Sequence, residues 1–170
     1  DFFAEDWDNI LILDACRFDL FREKNILPGS FEHRISRASN TEEFLRANFD
    51  QRKLHDVVYV TANPQFYRKK IEASLHAVRH VWKDDGWDEL YRTVLPETVK
   101  CRVIEAAKEF PDKRIVGHFL QPHYPFIGPT GRSNFELDNL AFWDRVEQGE
   151  IDATTQVIKR AYRENLDVVL

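Results

Sequence analysis

The amino-acid sequence predicts an α/β fold: a doubly wound, mostly parallel sheet with helices on both faces. Three short apolar runs carry this prediction, and they lie within residues 10–13, 56–64 and 114–120. Apolar runs without polar alternation are typical of strands that are covered on both faces, as in the middle of a parallel sheet. Helical patterns separate the strands, which is the order expected of a doubly wound sheet. With no internal repeat in the sequence, we expect residues 1–170 to form a single domain.

The first 37 residues contain the opening strand and a first helical segment. The apolar strand at 10–13 leads into a helix over 16–24, and turn residues follow at Pro28 and Gly29. Weak alternation after this turn predicts a short strand over 31–37.

A strong helix start lies near Thr41. Two overlapping capping boxes mark it, each with a cap residue followed three positions later by an acid: Ser39 and Glu42, Asn40 and Glu43. An apolar stripe continues the helical pattern, with Phe44, Leu45 and Phe49. We therefore expect a helix that begins at the end of the polar segment 36–41.

The middle of the chain contains the second buried strand, over residues 56–64, which Pro64 ends. A short helix over 65–73 and a strand over 77–82 follow, and residues 83–88 are predicted to be a loop.

The last third opens with Pro96 at a first helical position, which predicts a helix to about residue 110. The third buried strand follows over 114–120. Residues 127–134 are rich in Gly, Pro and polar side chains, which indicates a loop. A final helix is predicted over 151–170, where apolar residues recur at helical spacing.

The charge balance narrows the classes of partner. The 170 residues include 24 Lys and Arg against 29 Asp and Glu, which gives a formal net charge of −5. Because there is no basic run and no aromatic-basic stripe, we expect no nucleic-acid partner. No apolar stretch approaches the roughly 20 residues that a transmembrane helix needs, so we expect no membrane segment.

The cysteines and the termini give expectations about compartment and length. Cys16 and Cys101 lie far apart without metal-ligand spacing, so we expect reduced thiols in a cytoplasmic protein, with one disulfide as the alternative. The N-terminus has neither a basic region nor a cleavage site, so we expect no signal peptide. The chain does not begin with Met and stops within a helical pattern at Leu170, which predicts a piece of a longer protein.

Asp14 is the first candidate for chemistry, because it follows the apolar strand directly. In open α/β sheets, ligands bind at the carboxyl ends of the strands. A carboxylate at that place is a suitable oxygen ligand for a divalent cation. The alternative is an aspartate that caps the next helix.

Thr41, with Ser39 close by, is the second candidate. A hydroxyl at a helix start lies at the positive end of the helix dipole, beside backbone N–H groups that have no helical partner. These features would stabilise an alkoxide and would bind the oxyanion of a phosphate or a sulfate. The alternative is an ordinary N-cap.

His118 and His123 are the third candidate, in and just after the strand at 114–120. Pro122 and Pro125 flank His123 and restrict the backbone on both sides of it, which would fix the position of its imidazole. His118 lies within the strand, so it could equally be a core histidine whose hydrogen bonds are satisfied.

These three places, in this order, resemble the alkaline phosphatase superfamily, and within it the sulfatase-like proteins. Residues 10–19 resemble the family's opening strand, whose terminal aspartate binds metal. Residues 36–41 occupy the position of the family's Ser, Thr or Cys nucleophile. Residues 116–126 resemble the sulfatase strand that ends in a Pro-His-x-Pro-Tyr loop beside the substrate. The closing helix, with Tyr162 and Asp167, resembles the one that precedes the family's next strand.

The resemblance implies a metal-dependent hydrolase or transferase that acts on small phosphate or sulfate esters. It implies that Asp14 binds the metal and that Thr41 is the nucleophile, with Ser39 in reserve. His118 and His123 would bind the substrate anion. The implied cofactor is a divalent cation, with Zn, Ca, Mn and Mg all compatible with an oxygen ligand of this kind.

Three departures from the family pattern change what we expect of the nucleophile, of the metal ligands and of the activity of residues 1–170. The x-Pro-x-Arg motif after the nucleophile is absent, which argues against a formylglycine sulfatase and for an unmodified hydroxyl. The paired aspartates of the sulfatases are reduced to Asp14. The family's Asp-His-Gly metal motif would follow Leu170, so we expect residues 1–170 alone to be inactive. The alternative is a non-catalytic binding module with a decayed site, or an α/β domain in which Thr41 is a cap and His123 a loop residue.

Overall fold

The computed structural model describes residues 1–136, 142–151 and 154–170. Within these ranges the strands are β1 (Asn9–Leu13), β2 (Arg52–Thr61), β3 (Ala73–His80), β4 (Trp87–Asp88), β5 (Thr93–Val94) and β6 (Arg114–Phe119). The main sheet has the strand order β1-β6-β2-β3, and all of its pairings are parallel. β4 and β5 form a separate antiparallel pair.

The helices in the described part of the chain are α1 (Phe18–Lys24), α2 (Thr41–Phe49), α3 (Gln65–Arg68), α4 (Pro96–Glu109), α5 (Pro129–Asn134), α6 (Phe142–Glu147) and α7 (Thr155–Val169). A 3-10 turn over Phe2–Ala4 precedes β1. None of these helices combines the length and the hydropathy that crossing a bilayer requires.

Side chains of the inner strand β2 alternate between two hydrophobic cores, one on each face of the sheet. Val57 and Tyr59 belong to the first core, and Val58 and Val60 belong to the second. The first core also contains side chains of α2 and of the N-terminal turn, namely Leu45, Phe49 and Phe3. The second contains side chains of α4, namely Val99 and Ala106. Helices therefore cover both faces of a parallel sheet, which confirms the predicted fold class.

A third, smaller core lies under the C-terminal helix. Its buried members are Tyr124, Phe126, Phe135, Phe142 and Ala161. It packs the segment after β6 against α7, and so it supports the loop that contains His123.

Two sequence expectations about elements are wrong. The predicted strand over 31–37 is irregular backbone, and Phe31 and Ile35 are 44% and 90% exposed, so the alternation there buries no face. The predicted loop over 127–134 contains α5, whose first residue is Pro129. Proline is tolerated at that position because the first N–H of a helix has no partner within it. A Cβ at Gly131 would collide with the Phe126 carbonyl, which explains a glycine inside this helix.

Element boundaries differ elsewhere as well. The helix predicted over 65–73 ends at Arg68, and the strand predicted over 77–82 is β3, which begins at Ala73 and pairs with the early part of β2. The predicted loop at 83–88 includes the short strand β4 at its end. Two-residue strands give too little alternation to be recognised in a sequence.

Gly117 on β6 faces Val103 of α4 with little room for a side chain. A Cβ there would lie 2.7 Å from Cγ2 of Val103 and 3.1 Å from Cδ2 of Leu11. Val103 is β-branched and turns poorly about χ1, so the extra atom would crowd it. We expect Gly117→Ala to lower the free energy of unfolding by about 1–3 kcal/mol, as measured by urea denaturation.

The matched control for Gly117→Ala adds Val103→Ala, which removes the methyl group that is crowded. The double variant should lose less stability than the sum of the two single variants. Strictly additive losses would show that Gly117 is not limited by its contact with α4.

We expect His80, the last residue of β3, to make the free energy of unfolding depend on pH. Burial lowers the pKa of His80, Asp84 raises it and Lys83 lowers it further. An unfolded histidine has a pKa of about 6.5, so the unfolded chain binds its proton at a higher pH than the folded chain does. The free energy of unfolding should therefore fall as the pH drops below about 6.5.

Urea midpoints at about pH 7.5 and about pH 5.5 measure this effect. His80→Gln should reduce the difference between the two midpoints, and the remaining difference includes His118, whose pKa burial also lowers. His55 is exposed on β2, and His55→Gln serves as the control for the same chemical change outside the core. An equal pH effect in His80→Gln and in the unchanged protein would contradict the assignment to His80.

Candidate active site

The candidate site is a pocket of about 900 Å³ at the carboxyl ends of β1 and β6, beside the start of α2. Residues from all three candidate places line it: Asp14, Ser39, Thr41, His118 and His123. The carboxyl ends of parallel strands meet at one edge of a sheet, which is why residues distant in sequence converge there.

Asp14 is the residue around which the pocket is built. It follows Leu13 at the end of β1, and its side chain is only 10% exposed. Its Oδ1 and Oδ2 accept a hydrogen bond from Oγ1 of Thr41 at 3.0 and 3.3 Å, and Oδ2 accepts one from Nδ2 of Asn63 at 2.6 Å. α1 has Arg17 at its N-cap and no side-chain cap hydrogen bond, so Asp14 does not cap that helix.

Thr41 is the first residue of α2, and Asn40 is the residue that caps the helix. Oδ1 of Asn40 accepts a hydrogen bond from the backbone N–H of Glu43 at 2.9 Å. This leaves the Thr41 hydroxyl available to Asp14. The Ser39 hydroxyl instead donates to Oε2 of Glu43 at 3.3 Å. The structure therefore places Thr41, and not Ser39, against the Asp14 carboxylate.

Asn63 is a site residue that the sequence reasoning missed. It lies two residues after β2 and is 2% exposed. Its Oδ1 accepts from the backbone N–H of Gln65 at 2.8 Å, and its own N–H donates to Oγ1 of Thr61 at 3.0 Å. These bonds fix the amide with Nδ2 toward Asp14. The sequence did contain a signal, because Asn63 follows a buried strand just as Asp14 does.

His118 lies behind Asp14, on β6. The residue is 1% exposed, its Nδ1 lies 2.6 Å from the Tyr59 hydroxyl, and its Nε2 lies 3.9 Å from Oδ2 of Asp14. Burial lowers the pKa of His118, and the nearby Asp14 carboxylate opposes that shift. His118 thus has contacts with both the core and the pocket.

His123 is held by its backbone and by one ring nitrogen. Its N–H donates to the carbonyl groups of Asp14 and Leu120, at 3.2 and 3.0 Å. Its Nδ1 lies 2.6 Å from the carbonyl oxygen of Tyr124, which can only accept, so Nδ1 carries a proton. Nε2 is therefore the ring atom that remains for a ligand.

Asn165 on α7 fixes the loop that contains His123. This fully buried residue accepts a hydrogen bond from the N–H of Ile127 at 2.7 Å and donates to the carbonyl groups of Pro125 and His123, at 2.9 and 3.1 Å. Sequence reasoning did not single it out. An asparagine within the apolar stripe of a helix is the signal that could have found it.

Tyr162, also on α7, fixes the turn after Asp14. Its hydroxyl donates to the carbonyl of Ala15 at 2.8 Å and accepts from the N–H of Arg17 at 2.9 Å. Burial raises the pKa of Tyr162 to about 12, so the phenol keeps the proton that it donates. One helix therefore holds two of the segments that line the pocket, the turn after Asp14 and the loop that contains His123.

The oxygens of Asp14 and Thr41 suit two neighbouring positions around one divalent cation. Oδ1 and Oγ1 are 3.0 Å apart. Oxygen ligands at 2.0–2.1 Å from an octahedral ion are about 3 Å from their neighbours. Among residues 1–136, 142–151 and 154–170, no group of three or more His, Cys, Asp or Glu could hold a metal. Within the described residues, Asp14 and Thr41 would therefore supply two oxygen ligands, which is only part of a coordination shell.

The charged groups that line the pocket within the described ranges are carboxylates, and no Lys or Arg side chain is among them. These carboxylates belong to Asp14 and Glu42. Glu42 is paired with Lys69 at 2.7 Å and with Arg46 at 3.0 Å, outside the pocket lining. Asp14 is therefore the carboxylate without a cationic side chain beside it in the described lining.

Comparison of the chain with protein-family models, with curated proteins and with solved structures finds no match in any of the three. Function is therefore inferred from the residues of the pocket and from their geometry.

Proposed function

We propose that the protein hydrolyses or transfers small phosphate or sulfate esters with the help of a divalent cation, and that Thr41 is its nucleophile. The observation that carries this proposal is the 3.0 Å hydrogen bond from the Thr41 hydroxyl to the Asp14 carboxylate. A hydroxyl held against a carboxylate in a pocket is the arrangement of an activated oxygen nucleophile. The sulfatase-like resemblance of residues 10–19, 36–41 and 116–126 points to the same chemistry.

In the first step, Oγ1 of Thr41 forms a bond to the phosphorus or sulfur of the ester, and the bond to the leaving oxygen breaks. The hydrogen bond to Oδ1 of Asp14 orients Oγ1 for the attack. Because Oδ1 would also hold the cation, the hydroxyl proton passes to solvent. The leaving oxygen takes its proton from solvent. In the second step, water or an acceptor alcohol attacks the same phosphorus or sulfur and loses its proton to solvent. The bond to Oγ1 of Thr41 breaks, and Oγ1 takes up a proton from solvent.

The start of α2 supports this step electrostatically. The first N–H groups of a helix have no partner within it, and the helix dipole is positive there. Both effects favour negative charge on Oγ1 of Thr41 and on the oxygens of the transferred group. Asn40 caps the helix with its own side chain, so the cap does not compete for the Thr41 hydroxyl.

Asp14 and Thr41 would hold the cation through Oδ1 and Oγ1. When bound, a divalent cation lowers the pKa of an alcohol ligand and neutralises charge on the transferred group. An anionic ester in this pocket needs such a positive partner, since the charged side chains of its described lining are carboxylates. His123 would bind the ester through Nε2, because Nδ1 is engaged with the Tyr124 carbonyl.

The test is to measure metal content and the hydrolysis of an aryl phosphate and an aryl sulfate. Both the protein at its natural length and residues 1–170 are assayed, with and without a chelator. We expect the protein at its natural length to bind a divalent cation, to turn over at least one ester and to lose that activity with the chelator. Neither turnover nor a bound cation in any preparation would contradict the proposal and would favour a non-catalytic binding module.

A further inference from the structure

A buried tyrosine and histidine lie together behind the Asp14 carboxylate. Tyr59 on β2 is 0% exposed and His118 on β6 is 1% exposed. The Tyr59 hydroxyl lies 2.6 Å from Nδ1 of His118. In the register of the two strands, Tyr59 is opposite Val116 and Thr61 is opposite His118, so the two rings are diagonal neighbours on one face of the sheet.

One proton lies between the Tyr59 hydroxyl and Nδ1 of His118, and either group could be its donor. In the first arrangement, Tyr59 donates to Nδ1, and the neutral imidazole carries its proton on Nε2. In the second, Nδ1 carries the proton, and the lone pair of Nε2 faces Oδ2 of Asp14 at 3.9 Å. The second arrangement turns the lone pair of a buried imidazole toward a carboxylate, which is electrostatically unfavourable.

The environment of Tyr59 favours the first arrangement. Burial raises the pKa of Tyr59 well above its ordinary value, a hydrogen bond with Thr61 lowers it and the Asp14 charge raises it further. The phenol therefore keeps its proton and has it to donate. Ring packing against Phe49 and Phe66, at centroid distances of 4.8 and 5.0 Å, holds the tyrosine in place.

We propose that Tyr59 is a positioning residue: its hydroxyl donates to Nδ1 of His118 and so fixes the imidazole with its proton on Nε2, facing Oδ2 of Asp14. The N–H of His118 and Nδ2 of Asn63 then lie on the Oδ2 side of the carboxylate. Oδ1 remains for the 3.0 Å hydrogen bond with Thr41. A protonated Nε2 has no lone pair, so His118 does not ligate a metal.

The catalytic part of this inference rests on the proposed function, whereas the tautomer does not. The first measurement is therefore the ¹⁵N NMR spectrum of the histidine side chains. We expect His118 to show an unprotonated Nδ1 and a protonated Nε2 in the unchanged protein. A protonated Nδ1 at His118 would overturn the proposal, whatever the activity of the protein.

The second measurement compares Tyr59→Phe with Tyr67→Phe, the same chemical change at a half-exposed tyrosine of α3. We expect Tyr59→Phe to leave His118 as a mixture of tautomers and to lower kcat by about 10-fold or more, with KM little changed. Tyr67→Phe should change neither. The proposal would also be overturned if Tyr59→Phe keeps His118 in the single tautomer and keeps the kcat of the unchanged protein. Urea denaturation shows whether this variant is folded.

The NMR spectrum and the turnover measurement test the role of Tyr59 and the proposed function separately. The expected tautomer in a protein without turnover would remove the proposed function and leave the role of Tyr59 intact. Turnover with Nδ1 of His118 protonated would remove the role of Tyr59 and leave the proposed function intact.

Discussion

Thr41→Ala is expected to lower kcat for an aryl phosphate or sulfate by at least about a thousandfold, because it removes the atom that attacks the ester. The expected loss of stability is small, about 1 kcal/mol, because Asp14 still accepts a hydrogen bond from Asn63 at 2.6 Å. The two effects are measured as steady-state turnover and as the free energy of unfolding in urea. A large loss of activity with a small loss of stability is typical of a nucleophile and not of a structural residue.

Three matched variants around Thr41 test this assignment. Thr41→Ser keeps a hydroxyl on the same Cβ and should retain part of the activity. Ser39→Ala should retain nearly all of it, because the Ser39 hydroxyl contacts Glu43 and not Asp14. Asn40→Ala should cost about 1 kcal/mol of stability through the lost cap while the reaction continues. An active Thr41→Ala beside an inactive Ser39→Ala would show that the nucleophile is Ser39.

Asp14→Ala is expected to abolish both cation binding and turnover. The change removes the carboxylate that accepts from Thr41 and Asn63, and it leaves both donors without their partner. Unsatisfied buried donors cost about 1–3 kcal/mol, so the free energy of unfolding should fall by that order. Calorimetric titration with Mg²⁺, Mn²⁺, Zn²⁺ and Ca²⁺ measures the binding, and urea denaturation measures the stability.

Asp14→Asn separates the charge of this residue from its shape. It keeps the size of the side chain but loses the negative charge, so cation affinity should fall as it does in Asp14→Ala. Asp19→Asn is the control, because Asp19 is exposed on α1 and pairs with Arg17 at 2.8 Å. It should leave cation affinity and turnover unchanged. Equal cation affinity in Asp14→Ala and in the unchanged protein would place the metal elsewhere.

The apolar runs of β2 and β6 were enough to predict the parallel sheet, since strands buried on both faces lose polar alternation. β1 is an edge strand of the described sheet and its Leu11 is 58% exposed, so the expectation that both of its faces are covered is wrong. The same logic placed Asp14 at the carboxyl edge of the sheet, and the capping pattern placed Thr41 at a helix start. The 3.0 Å distance between Oγ1 of Thr41 and Oδ1 of Asp14 belongs to the tertiary structure, because it depends on how α2 packs on the sheet. The sequence could indicate each place but not the bond between them.

The residues that the sequence reasoning missed depend on register and on long-range packing. Tyr59 meets His118 because β2 and β6 pair with a particular register, which a single sequence does not reveal. Asn165 is polar in an otherwise apolar stripe, and its role is visible only when the 122–127 loop folds over it. The helix over Pro129–Asn134 was missed because Pro and Gly indicate a loop unless the first helical position and the close contact with Phe126 are known.

The central claim is that Oγ1 of Thr41 becomes covalently bound to the transferred group. The direct measurement is mass spectrometry of the protein at its natural length, quenched in acid during turnover of an aryl phosphate or sulfate in the presence of a divalent cation. Trypsin should release residues 38–46, which contain both Ser39 and Thr41. We expect the mass increment of a phosphoryl or sulfuryl group on this peptide, assigned to Thr41 by fragmentation and absent from Thr41→Ala. Turnover with an unmodified peptide, or with the group on Ser39, would contradict the assignment.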